Sequence, residues 1–452
     1  MKTNRCSILA ASISLCLLSG PAFSAGFGIA ESSGSSMGNA FAGAAAGGMG
    51  DATTVWYNPA GMEQLGDQAQ LSKALHIVSS TLDYTDKGSS GKLGMVTGIN
   101  DDGGGASVIP NLYYVKPIGH NMHFGIGING PFGAEVNYDN AWYGRYQATD
   151  TSMLSVNINP SLSYRVSDRL SLGGGLNAQY VEVKLGSAIQ SGVACLNAGI
   201  AAGSSALISA CNAAYPTISG AADDSRAVVE GDGIAYGYNL GLLFEPSKRT
   251  RLGLSYRSGI QHDVKGDIDY TLNDKMPAAM AANLKDEAVH ASVKVPASAS
   301  LSVAYDASER LELLADLTWT QWSNFQNLTI VSDATGKPIT NVHENWEDVF
   351  RISVGGNYKY SDKLVLRAGL AFDEEPIPSP KYRTPRIPGD DRTWLSVGAG
   401  YQLNKKLSMD VGYSHIIVDD TPIDHTDENG YNVKGLYDSN VDILSAQINY
   451  RF

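Results

Sequence analysis

The chain ends D-I-L-S-A-Q-I-N-Y-R-F, Asp442–Phe452, and the alternation in these residues decides the fold. Leu444, Ala446, Ile448, Tyr450 and Phe452 fall on one face of an extended strand, while Ser445, Gln447, Asn449 and Arg451 fall on the other. In a soluble sandwich the apolar face points to a core; in a membrane barrel it points to lipid and the polar face to the lumen. The same period runs through Phe350, Ile352, Val354, Tyr358 and Tyr360, and again through Leu407, Met409, Val411 and Tyr413.

Working outward from these segments gives about fourteen strand candidates, the first near Gln68 to Tyr84 and the last ending at Phe452. Short polar connections lie at Pro117–Met122, Val166–Arg169, Glu245–Thr250, Asp306–Arg310, Tyr360–Lys363 and Leu403–Lys406. Seven longer ones alternate with them, the largest running from about Gly186 to Arg226. A soluble all-β array has no reason to sort its loops by length. The pattern predicts an all-β fold, a 14-stranded antiparallel transmembrane β-barrel with short periplasmic turns, long extracellular loops and both chain ends in the periplasm. At about 4.8 Å between strands and about 40° tilt, the barrel would be roughly 25 to 28 Å across, too wide for lumen side chains to fill.

Composition agrees. The start MKTNRCSILAASISLCLLSGPAFSA has Lys2 and Arg5, an apolar run from Ile8 to Leu18 and small residues at Ala22 and Ser24, the order of a signal peptide over residues 1–24. Leu15 before Cys16 argues against a lipoprotein. Beyond it no run of about eighteen apolar residues occurs, so helical spans are excluded and a barrel is not. The formal charge of −13 becomes −15 without Lys2 and Arg5, which speaks against nucleic acid as a partner. The 49 glycines and 23 tyrosines suit tight turns and interfacial girdles. Two of the 4 cysteines lie in the signal; Cys195 and Cys211, in an oxidising compartment, are expected to form a disulfide.

Residues 25–65 precede the strands and are rich in Gly, Ala and Ser with few charges. They form a candidate hatch, a plug folded inside the barrel of residues 66–452, with a turn fixed at Asn58, Pro59 and Ala60. A free periplasmic tail would leave Phe27, Ile29, Met37, Phe41, Val55 and Trp56 in water.

Five stretches carry a family resemblance: AGFGIAESSGSSMGNAFAGAAA (Ala25–Ala46), YNPAG (Tyr57–Gly61), WTQWSNFQNL (Trp319–Leu328), AFDEEPIPSP (Ala371–Pro380) and DDRTWLSVGAGY (Asp390–Tyr401). With them the mature chain resembles the outer-membrane long-chain fatty-acid transporters of the FadL type, whose relatives carry aromatic hydrocarbons. The resemblance implies an N-terminal hatch and diffusive uptake of hydrophobic molecules that leave sideways through the wall. It implies a first, weak ligand site between two extracellular loops, and a second site in the lumen where Phe27 matches an apolar contact. It implies no cofactor and no energy-coupling domain. The expected setting is a monomer in outer-membrane lipid and lipopolysaccharide, with a long-chain fatty acid or other hydrophobic small molecule as cargo.

The residues give these sites concrete form. The third strand, HFGIGINGPFGAEV (His123–Val136), should kink at Asn129, Gly130, Pro131, Phe132 and Gly133, because proline donates no ladder bond and glycine permits a bulge. Pro131 ending the strand at its loop is the plainer reading. The loop candidates for ligand capture are Leu196, Ile200, Leu207 and Ile208, with Met276, Met280 and Leu284 on a helical stripe of KMPAAMAANLKDEAV; mutual packing of these side chains is the alternative, and Leu185 is a further ligand-binding candidate. Where the family pattern has basic groups for a carboxylate, this chain has Ser187 and Thr329, so Lys184, Arg257 and Arg351 become candidate substitutes.

Neither HExxH nor a GxSxG elbow is present, so no catalytic residue is assigned. The acidic stretches at 99–105 and 419–430 read as solvated loops and not as metal sites. A general porin or adhesin remains the rival function.

Overall fold

Alternation forces each strand to hide one face, and fourteen such strands solve this by closing on themselves. The structure, a computed structural model, describes residues 26–47, 49–91, 94–215, 220–282 and 284–452, so the expected signal at 1–24 lies outside the described residues. Strand β1 (Gln70–Asp86) pairs with β2 (Gly105–Gly119) on one side and with β14 (Asn432–Arg451) on the other, which closes the ring. Between these lie β3 (Met122–Asn129 and Gly133–Asn137), β4 (Asp150–Ser167), β5 (Leu170–Ile189) and β6 (Ser225–Ser247). Strands β7 (Thr250–Arg257, Ile260–Thr271), β8 (Glu287–Val295, Ser298–Asp306) and β9 (Leu311–Thr320, Asn327–Ser332) follow. The circuit continues through β10 (Pro338–His343, Val349–Lys359), β11 (Leu364–Asp373), β12 (Arg392–Gln402) and β13 (Leu407–Val418, Thr421–Thr426). Apart from the closing β1–β14 pair, these strands pair with their sequence neighbours, and every strand pair is antiparallel.

The register sends apolar side chains outward. Ile77 stands opposite Leu444 and Leu71 opposite Tyr450 on the outer face, while Ser72, His76, Ser445 and Gln447 are buried toward the lumen. The six short turns fall where the sequence places them; β1 begins two residues later than the sequence suggested. Two of the longer connections, 333–337 and 427–431, are themselves short, because β9, β10, β13 and β14 run on beyond their breaks as protruding hairpins.

Residues 26–47 and 49–65 lie within this ring, mostly buried, and touch it on several sides. They form short turns of helix, α1 (Gly34–Met37) and α2 (Thr54–Tyr57), and two 3₁₀ turns, Ala44–Ala46 and Pro59–Gln64. Gly34 and Ser35 donate their N–H groups to Gln447 of β14, Ala45 to Ser302 of β8, and Ala52 to Ser72 of β1. Lumen-facing glycines allow the close approach: a Cβ at Gly253 would strike the Ala45 carbonyl, and one at Gly369 would strike Asn39.

Candidate functional site

Among the described residues, the ladder of the wall is interrupted between β2 and β3. Leu112 to Pro117 of β2 meet β3 in register, but the ladder between the two strands stops at the Leu112–Ile128 pair, and after the break at residues 130–132 the resumed segment Gly133–Asn137 runs in register with β4. Beyond Leu112, no ladder between β2 and the resumed segment of β3 is seen among the described residues. Proline at 131 cannot donate to the missing ladder, and Ser155 of β4 holds Phe132 instead, accepting from its N–H at 2.8 Å and donating to its carbonyl at 2.6 Å. A small cleft of about 20 Å³ lies in the gap, between Ile109, Ile128, Phe132 and Leu154.

The N-terminal end of the lumen segment closes this opening from within. Ile29 donates its N–H to the Pro131 carbonyl and Gly133 donates to the Phe27 carbonyl, each at 2.9 Å, so that Gly28 and Phe132 pair as a two-residue antiparallel bridge. Ile29 also lines the cleft. Phe27 sits in an aromatic cage, with ring centroids 4.6 Å from Trp322, 5.4 Å from Phe325, 5.6 Å from Trp346 and 6.0 Å from Phe132. Beside the cage, the Trp346 indole donates to Glu344, whose carboxyl is pushed by burial up to about 8.

Behind this terminus lies a cavity of about 210 Å³, bounded by Ile29, Phe41, Trp56, Phe132, Arg257 and Arg351 among others. The sequence placed both arginines on polar faces, and the structure brings them to the same chamber. Arg257 lies over the Trp56 ring at 3.5 Å and donates to the Trp56 carbonyl at 2.8 Å and to Asn177. Arg351 lies 4.9 Å from the Trp394 ring centre and 5.6 Å from that of Phe41, and donates to Ser353 and to the Ala40 carbonyl. Among the described residues neither guanidinium forms a carboxylate ion pair. Such a pair of arginines, backed by aromatic faces, is chemically suited to a carboxylate whose tail lies on apolar surface.

Near Arg351 the lumen segment carries Glu31, fully buried, with neither carboxyl oxygen hydrogen-bonded. Burial raises its pKa to about 7, offset in part by its own backbone and by Arg351. In contrast, the Asn-Pro-Ala turn is fully bonded. Asn58 donates to the carbonyls of Ala45 at 2.6 Å and Leu242 at 3.0 Å, and its side-chain oxygen caps the following turn at the Ala60 N–H.

At the extracellular end, helices α3 (Ser191–Ala201) and α4 (Ser205–Ala214) form a hairpin joined by the Cys195–Cys211 disulfide. Leu196, Leu207, Met276, Met280 and Leu284 gather with it in one apolar cluster. Only one helical turn, α5 (Ala278–Ala281), forms around Met280, so the expected stripe is shorter than its sequence pattern. Ile200 stands apart, 66% exposed at the hairpin tip. Leu185 packs lower down against Ile268, Val289 and Ile330. Lys184 is not at the lumen: it alternates onto the outer face of β5 and pairs with Glu230 at 2.6 Å. Sequence reasoning missed the cage residues Trp322, Phe325 and Trp346 as contacts and missed Glu31. The first two stood inside a quoted family stretch, but none lies in a periodic segment that would fix its direction.

With the barrel, the breached third strand and the filled lumen in place, the comparisons can be read. The profile of the family described as outer membrane protein transport protein (OMPP1/FadL/TodX) matches residues 15–452. The chain belongs to this family. It is 28% identical to the long-chain fatty acid transport protein of Escherichia coli over 90% of this chain and 91% of the relative. It is 30% identical to outer membrane protein P1 of Haemophilus influenzae over 92% of this chain and 90% of the relative. Among solved structures, a Pseudomonas aeruginosa FadL homologue is similar with a TM-score of 0.84 and 26% identity, covering 95% of this chain and all of that one. The toluene transporter TodX of Pseudomonas putida shares the fold at a TM-score of 0.63 and 19% identity, covering 89% of this chain and 94% of that one. The FadL/TodX family is one of outer-membrane transporters of hydrophobic compounds, not of enzymes.

Proposed function

We propose that this barrel takes up long-chain fatty acids by diffusion: loop capture, a lumen site between Arg257 and Arg351, and exit through the gap beside Pro131. The reading rests above all on the pair of backbone hydrogen bonds that tie Phe27 and Ile29 to the kinked strand, because they put the end of the lumen segment between the cavity and the gap. The lumen segment acts as a hatch whose N-terminus must leave before cargo can pass. Burial of a methylene contributes about 0.8 kcal/mol, so a dozen of them gross roughly 10 kcal/mol and a fixed site would hold its cargo too long. A moving terminus relieves this by dismantling the site as it opens the exit.

The cavity of about 210 Å³ is smaller than the typical range for a drug-sized ligand, which again calls for movement when a long chain enters. An aromatic or alkane hydrocarbon is the second reading, favoured by the cage around Phe27. Binding of oleate and of a neutral hydrocarbon to the purified barrel separates the two. Replacing both arginines, Arg257→Ala with Arg351→Ala, should weaken oleate binding at least tenfold and leave the hydrocarbon unchanged; equal loss of both would contradict the carboxylate site. A general porin would instead give steady ionic conductance in planar bilayers, where this reading expects none.

A further inference from the structure

Charge is divided along the barrel axis. The short-turn end carries basic residues around its circumference: Arg169 on one turn, Lys248 and Arg249 on the next, then Arg310, Lys363 and Lys406. All six are exposed, and among the described residues none of them forms an ion pair. At the long-loop end several basic residues are paired instead, as in Lys184–Glu230, Lys275–Asp223, Arg383–Asp390 and Lys434–Asp424. Acids follow the opposite trend. The short-turn rim exposes Asp168, Asp306, Glu309 and Asp362, whereas most of the 46 acidic residues stand among the long loops and the strand ends beneath them. A chain that is strongly acidic as a whole therefore presents a basic ring at one end.

Just above this ring, toward the middle of the wall, outward Tyr305, Tyr358, Tyr401 and Tyr450 are each more than a third exposed. Exposed tyrosines on a barrel wall mark the level where hydrocarbon gives way to headgroups. The basic side chains thus stand at phosphate depth, facing the periplasmic leaflet. Long Lys and Arg stems can reach sideways to that level while their heads stay solvated.

We propose that this rim binds the headgroups of anionic phospholipids of the periplasmic leaflet in preference to zwitterionic ones. A ring favours lipid over an acidic protein partner, since a protein would dock on one patch and most of a ring would go unused. The attraction is between unpaired surface cations and an anionic surface, so it is screened by salt. It rests on the orientation of the barrel and not on the identity of the cargo.

The test uses the full purified barrel in nanodiscs of phosphatidylethanolamine with a minor fraction of phosphatidylglycerol, read by native mass spectrometry of retained lipid. Phosphatidylglycerol should be enriched several-fold over its bulk fraction, with enrichment lost in 0.5 M salt. A variant with Arg169→Gln, Lys248→Gln, Arg249→Gln, Arg310→Gln, Lys363→Gln and Lys406→Gln should retain the two lipids in bulk proportion, while a Lys248→Arg, Lys363→Arg, Lys406→Arg variant keeps the enrichment. Bulk proportions in the unaltered protein would overturn the proposal without reference to any variant. So would salt-insensitive enrichment, or absent lipid preference combined with binding of a polyglutamate probe.

Discussion

The two ends of the lumen segment are built differently. At Asn58 every side-chain polar atom is bonded, small residues lie flat on a glycine-lined wall, and the partners belong to β6 and to the segment itself. At Phe27–Glu31 the attachment is a two-residue bridge to a broken strand, an aromatic side chain in a cage, one hydrogen bond from Asn111 to the Glu31 carbonyl, and a buried carboxyl without a hydrogen-bond partner among the described residues. An unpaired buried carboxyl is a standing cost, and a two-bond bridge is a small cooperative unit. The contrast teaches that one piece of chain can be held by a fully bonded turn at one end and by a short bridge at the other.

The sharpest way to break the comparison is to fix the loose end. Partners in an antiparallel bridge have Cα atoms close enough for a disulfide, so Gly28→Cys with Phe132→Cys should lock the terminus to β3. Cellular uptake of labelled oleate should fall to the level of cells lacking the protein and return with reductant. Undiminished uptake by the oxidised form would mean that cargo does not need this door.

Loosening the fixed end comes next. Asn58→Ala strands the carbonyls of Ala45 and Leu242 and the N–H of Ala60, and should cost about 3 kcal/mol, seen as a lower urea midpoint for the whole barrel. A change below about 0.5 kcal/mol would deny the turn its anchoring role.

A smaller and pH-dependent effect belongs to Glu31. Its pKa rises from 4.5 to about 7 on burial, near Arg351, Arg392 and Tyr57. The folded hatch therefore holds the proton more tightly than the unfolded chain. Its contribution to stability is fully present below about pH 4.5 and is lost as pH rises through 7. Glu31→Gln should thus steady the terminus by about 1 to 3 kcal/mol at pH 8 and by almost nothing at pH 4.5, read from exchange of the Ile29 amide. Equal effects at both pH values would show that the carboxyl is not the source. Smallest of all, Cys195→Ser with Cys211→Ser should speed proteolysis of the α3–α4 hairpin and leave the barrel's thermal midpoint within about 1 °C, since the closed loop lies wholly outside the strands.

What the sequence made legible follows period and chemistry. Alternation at Leu444–Phe452 and six short turns located the strands, and two cysteines in a secreted chain located the disulfide, while Pro131 among glycines falls at the interruption of β3. Arg257 and Arg351 were readable as lumen groups because strand parity fixed their side. The hatch has no period, so nothing in it announced that Glu31 would be left unbonded or that Phe27 would enter a cage. Trp346 stands in a connection between two halves of β10, where parity gives no direction. Lys184 shows the cost of a one-residue uncertainty in register, because the adjacent Leu185 faces inward and Lys184 does not.

The account as a whole depends on the terminus opening while the anchor stays shut. Hydrogen exchange at three amides, Ile29, Gly133 and Ala60, followed in vesicles with and without saturating oleate, tests this directly. Oleate should accelerate exchange at Ile29 and Gly133 by at least tenfold and leave Ala60 unchanged. Equal protection at all three with cargo present would contradict it.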